Sequence, residues 1–174
     1  MTAKEFLNNL ANGKIDVIQF LLDKFKDLNI DYCVIGGLGV NAYAEPVASL
    51  DIDLVLAVND IEKFLKEIKK NYKVSKFPHS INLVHPDSDL RIQIQTDLRY
   101  QSFITNALLK KVLGYNMKAA SIEDVLKGKI WAYSDKERRK SKRQKDLADI
   151  LRLVETHPTL LNLIPNEIRA IIES

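Results

Sequence analysis

Two aspartates one residue apart in an otherwise apolar stretch, Asp51-Ile52-Asp53-Leu54-Val55-Leu56, constrain this chain more than any other feature. Side chains at i and i+2 of a strand share a face, so Asp51 and Asp53 stand side by side while Ile52, Leu54 and Leu56 point the other way. Apolar residues run on to Val58, which leaves the two acids as exceptions and argues against a merely solvated edge strand. Paired oxygen ligands suit Mg²⁺ or Mn²⁺ rather than zinc, and Mg²⁺ is commonly held by one or two carboxylates plus substrate phosphates. Upstream, the apolar stretch Tyr32 to Ile35 ends in Gly36-Gly37. Without a Cβ the backbone there can approach a phosphate closely, and a following helix start would aim free N–H groups at it. Together the two stretches point to metal-dependent phosphate chemistry.

The rest of the chain reads as alternating elements. Apolar residues at helical spacing predict a helix over 15–28, closed by Asn29 before a strand over 31–35. A short helix over 38–44 is stopped by Pro46, and the acidic strand covers 49–58. Asn59 with Glu62 signals a capping box for a helix through 71. Strands are expected over 74–77, 81–85 and 90–95, in antiparallel order, then a short helix over 100–106 and a hairpin turning at Gly114-Tyr115-Asn116. Ser121 as N-cap starts a helix to 133, a second helix covers 142–155, and Pro165 opens a last one through 172. This is an α+β chain, with a core over 1–120 and a helical segment over 121–174 packed on it as one compact unit.

At 174 residues, with 46% apolar and 28% charged content, the composition is that of an ordinary folded domain rather than a disordered or membrane class. No apolar run approaches a bilayer span and the N-terminus lacks a signal peptide's apolar centre, so a cytoplasmic protein without membrane contact is expected. Cys33 is the only cysteine, which excludes intrachain disulfides and cysteine metal clusters; it reads as a small core residue. His79, His85 and His157 have no ligand-like spacing. Trp131 reads as core, and Tyr43, just after the glycines, as a candidate base-stacking ring. Net charge is only +3, but seven of the ten residues from Lys136 to Lys145 are basic. That run is either a solvated face or a clamp for nucleotide phosphates or an RNA backbone.

A strand, Gly-Gly, a short helix and then Asp-x-Asp resembles the nucleotidyltransferase superfamily of the DNA polymerase β type, and within it the compact bacterial branch that includes the AbiEii-type toxins. The likeness covers about residues 15 to 155. It implies the nucleotidyltransferase fold, a short mixed sheet flanked by helices with a C-terminal helical extension. It also implies a metal-dependent enzyme that takes a nucleoside triphosphate with Mg²⁺ or Mn²⁺. Asp51 and Asp53 would be the metal-binding catalytic acids, and Gly36, Gly37 and Ser49 would lie against the nucleotide. Lys129 with Ala132, then Lys145-Asp146 and Asp149, is similar to the family's helical pattern. By that likeness Lys129 and Lys145 would meet the triphosphate and Asp146 would help close the site.

The chain departs from the pattern mildly at Ser49, where the family commonly has a threonine, and more sharply in two places. The family's third carboxylate falls in Arg91-Ile92-Gln93-Ile94-Gln95, where Gln93 takes its position, with Asp97 as the substitute under another register. A glutamine carbonyl can ligate Mg²⁺ but cannot accept a proton as a carboxylate does. Val47 stands where many members carry an arginine. Three readings therefore stay open: transfer of a nucleoside monophosphate to an RNA, protein or small-molecule hydroxyl; a nucleotide- or RNA-binding pseudoenzyme; and an antitoxin-like interaction module. The partners implied are a nucleoside triphosphate, RNA or tRNA through Lys136 to Lys145, and a cognate antitoxin or toxin.

Overall fold

The structure is a computed structural model that describes residues 1–174. Its seven strands are β1 (Tyr32–Ile35), β2 (Asp51–Leu56), β3 (Lys73–Lys76), β4 (Ser80–Val84), β5 (Arg91–Gln95), β6 (Leu108–Val112) and β7 (Tyr115–Ala119). They form one mixed sheet in the order β3-β4-β5-β2-β1-β7-β6. β2 runs antiparallel to β1 and parallel to β5, while β3, β4 and β5 pair antiparallel as the sequence predicts.

Alternation along the strands sorts the side chains between two cores. Ile52, Leu54, Leu56, Ile81, Leu83, Ile92 and Ile94 face one side, against α1 (Ala3–Leu10), α2 (Val17–Asp27) and α4 (Ile61–Ile68). The opposite face carries Asp51, Asp53 and Val55 on β2 and is covered by α6 (Ile122–Ser134), α7 (Lys140–Thr156) and α8 (Asn166–Ile172). α3 (Gly36–Val40) joins β1 to the loop before β2, and α5 (Ser102–Thr105) follows a 3-10 turn over Leu98–Tyr100. The site thus lies between a β-sheet floor and a helical wall.

Several boundaries differ from the sequence reading. α1 was not anticipated, although Thr2 and Glu5 form the capping box that announces it; its eight residues bury only Leu7. Asn59 caps nothing: Val58–Asp60 is a 3-10 turn, tied down where the Val58 N–H donates to Gln101 Oε1, and α4 begins after Asp60. The hairpin turns at Leu113-Gly114, both with positive φ (49° and 84°), so Tyr115 belongs to β7 with its ring fully buried. Its hydroxyl donates to Asp16 Oδ1, which is reason enough to keep it out of the turn.

Candidate active site

Gly36 opens the site at the end of β1. Its φ of +64° is unfavourable for residues with a side chain, and a Cβ there would overlap the Asp53 carboxylate. Glycine is therefore required twice, for the turn and for room beside the acid. Asp53 pairs across the sheet with Ile35 on one side and Gln93 on the other, and Gln93 pairs in turn with Asn82 of β4. Asp51 lies directly opposite Arg91. One sheet face thus presents two polar rows, Asp51 with Arg91, and Asp53, Gln93 and Asn82.

These rows floor a cleft of about 570 Å³. All nine residues singled out from the sequence line it: Asp51, Asp53, Gln93, Gly36, Gly37, Ser49, Lys129, Lys145 and Asp146. Asn82 and Tyr100, which the sequence reading did not single out, join them. Asn82 was detectable only through pairing with Gln93, which a single sequence does not reveal. Ser49 supports the acid locally, its Oγ accepting from the Asp51 N–H at 3.1 Å.

The two acids have different surroundings. Asp51 accepts from Arg91 Nε at 2.7 Å and from Lys142 Nζ at 3.4 Å. Burial works against its charge, but these two cations outweigh that effect and hold its pKa below the usual carboxylate range. Asp53 makes no hydrogen bond to the protein, and burial pushes its pKa up against the opposing pull of Lys129. Two strands over, beyond Gln93, Asn82 Oδ1 is buried without a partner.

On the helical wall, Lys129 is 7% exposed rather than a surface lysine. Its ammonium lies 3.0 Å from Asp146 Oδ1 and 2.8 Å from Asp149 Oδ2, the latter an ion pair without a directed hydrogen bond. Burial disfavours its charge, yet Asp149 and Asp146 outweigh it and raise its pKa. Arg138 Nε donates to Asp146 at 2.7 Å and Arg152 Nη1 to Asp149 at 2.9 Å. Arg152 also donates to Asn41 Oδ1, and Asn41 holds the loop through both backbone polar groups of Val47.

The basic run divides. Arg138, Arg139, Lys142 and Lys145 line the cleft, whereas Arg143 Nε donates to the Tyr133 carbonyl. Asp97 does not substitute for Gln93: it caps the 3-10 turn, accepts from Arg99 and lies off the cleft. Tyr43 is not a stacking platform, since its hydroxyl donates to the Ala120 carbonyl and its ring packs in the helical-side core. Trp131 packs against Phe103 and Tyr100.

The donor set suits one divalent cation shared with a triphosphate. Asp53 is an unpartnered, half-buried carboxylate, Gly36 leaves it room, and Asp51 is its neighbour. A second cation fits poorly, because Gln93 is neutral and no group of three acidic, histidine or cysteine side chains converges anywhere in the chain.

No protein-family model matches the chain, and no curated protein matches it. Solved structures do. The lincosamide antibiotic adenylyltransferase LnuA, bound to lincomycin, superposes with a TM-score of 0.58 at 15% identity over 82% of this chain and 99% of that one. ANT(2")-Ia in complex with adenylyl-2"-tobramycin gives 0.61 at 15% identity, over 90% and 95%. An antigenic nucleotidyltransferase-like protein from Paracoccidioides brasiliensis gives 0.53 at 20% identity, over 99% and 94%. At such identities the likeness is one of fold, and it is the nucleotidyltransferase fold that the glycine turn and paired acids implied.

Proposed function

We propose that this protein is a metal-dependent nucleotidyltransferase that moves a nucleoside monophosphate from a triphosphate to a hydroxyl. The observation that carries the reading is the Asp51/Asp53 pair set against the Gly36-Gly37 turn on the floor of a cleft rimmed by cations. Asp51 and Asp53 would hold a divalent cation together with phosphate oxygens, and that ion would neutralise charge at the α-phosphate. The glycine turn lets the backbone approach the triphosphate, and Lys145 and Arg139 draw its tail to the rim. The incoming hydroxyl forms a bond to the α-phosphorus and gives up its proton to water in the open cleft, while the bond to the pyrophosphate oxygen breaks and pyrophosphate leaves with the electron pair. Gln93 and Asn82, amides free of protein partners, suit an acceptor hydroxyl, which both donates and accepts.

One observation favours a second reading, binding with little or no turnover: the position beside Asp53 that would complete the acid set carries Gln93. RNA or tRNA as partner rests on the cations of the Lys136 to Lys145 run that face the cleft. Kinship with the AbiEii-type branch and a cognate antitoxin or toxin rests on the sequence pattern alone.

The test is thermal. A non-hydrolysable nucleoside triphosphate with Mg²⁺ should raise the melting temperature, and the double variant Asp51→Ala/Asp53→Ala should lose the shift. Equal shifts in both proteins would remove the assignment.

A further inference from the structure

Of the two acids, only Asp51 is occupied by the protein itself. Arg91 takes one oxygen from the sheet floor and Lys142 the other from the first turn of α7, so the contacts close on it from both sides of the cleft. A carboxylate whose two oxygens are both engaged by cations is not free to ligate a metal. These contacts are also the exchangeable kind: the Arg91 side chain is 64% exposed and that of Lys142 is 37% exposed, against 8% for Lys129. Exposed ion pairs are worth little and yield readily to a better partner. Both cations line the same cleft, and guanidinium and ammonium groups are the standard protein ligands for phosphate.

We propose that Arg91 and Lys142 are triphosphate ligands that guard Asp51 in the free protein and release it when the nucleotide arrives. The phosphates take the two cations, and Asp51 becomes available beside Asp53 for the divalent ion. Metal and nucleotide then load together, and by reciprocity each raises the affinity for the other by the same factor. The inference rests on the nucleotide-binding reading above, but its first measurement does not.

That measurement is Mn²⁺ binding to the whole protein without nucleotide, followed by the resonance of free Mn²⁺ and by calorimetry. Lys142→Met and Arg91→Gln should each bind Mn²⁺ about tenfold tighter than the unaltered chain, a gain of about 1.4 kcal/mol. Arg139→Gln removes a cleft cation that does not touch Asp51 and should change the affinity less than about twofold, which separates release of Asp51 from general field effects. The second measurement is binding of a non-hydrolysable adenosine triphosphate analogue with Mn²⁺, which the first two variants should weaken about tenfold. If neither variant gains Mn²⁺ affinity beyond that of Arg139→Gln, the guard is overturned. If the gain appears but analogue binding is unaltered, the assignment of Arg91 and Lys142 as phosphate ligands is overturned. Failure of the unaltered chain to bind the analogue overturns the nucleotide reading instead, and the Mn²⁺ results still decide the guard.

Discussion

The floor and the wall of the cleft treat charge in opposite ways. On the wall, Lys129, Asp146, Asp149, Arg138 and Arg152 form a chain of contacts between 2.7 and 3.0 Å, and each buried charge meets an opposite one. On the floor, Asp53 is half-buried and Asn82 Oδ1 is buried, neither with a protein hydrogen-bond partner, and Gln93 lies between them in the sheet. An unpaired polar group costs the folded state free energy, whereas a paired one is close to neutral and rigid. The wall is therefore architecture, and the floor keeps polar groups free for water or a ligand.

The strongest way to break this comparison is to remove Lys129. Lys129→Met leaves Asp146 and Asp149 buried and under-compensated, which should cost about 3–5 kcal/mol. At roughly 2–4 °C per kcal/mol for a chain of this size, the fall in melting temperature is large. Gln93→Ala and Asn82→Ala on the floor should each move stability by no more than about 0.5 kcal/mol. Chemical denaturation of the three variants decides it, and floor variants as damaging as Lys129→Met would erase the distinction between the regions.

The two regions also differed in how far the sequence disclosed them. The floor follows from a period of two: Ile52 and Leu54, Ile92 and Ile94 point to one core, so Asp51, Asp53, Arg91 and Gln93 must share the opposite face. That logic places Gln93 on the face of the acids, and the strand register puts it beside Asp53. The wall depends on contacts that no local pattern encodes. Lys129 meets Asp146 across 17 residues and Lys142 meets Asp51 across 91, through packing between elements that a lone chain does not specify. A buried lysine and a surface lysine look alike in sequence, and α6 has weak periodicity because Lys129 and Asp124 interrupt its buried face.

The next test sharpens the floor. If Gln93 marks a lost third carboxylate, Gln93→Asp should raise transfer of labelled nucleotide at least about tenfold, about 1.4 kcal/mol of barrier. Asp97 is committed to Arg99 and offers no alternative acid in this register, so Asp97→Ala should leave transfer unchanged. Robust activity in the unaltered chain that survives Gln93→Ala would mean that the site completes itself without this position.

The smallest effect compares the two floor acids with each other through pH. Asp53 has a raised pKa in the folded protein, so below the ordinary carboxylate value near 3.9 it is protonated folded or unfolded and contributes no pH-dependent difference. As pH climbs through the raised value, the native carboxyl must ionise where the unfolded one has already done so, and the protein loses stability relative to Asp53→Asn. Asp51 runs the other way. Its folded pKa is lowered by Arg91 and Lys142 against the effect of burial, so its contribution is complete above the ordinary value and is lost as pH falls through the lowered one. Asp51→Asn should thus be less stable than the unaltered chain at neutral pH and approach it in acid, while Asp53→Asn should be more stable at neutral pH and approach it in acid. Each difference should be on the order of 1 kcal/mol, because the Asp51 ion pairs are partly exposed and the cleft is open to water. Urea melts of the three proteins between pH 3 and 8 read both curves, and differences of the same sign would show that the two carboxylates share one environment, with no division between a guarded acid and an open one.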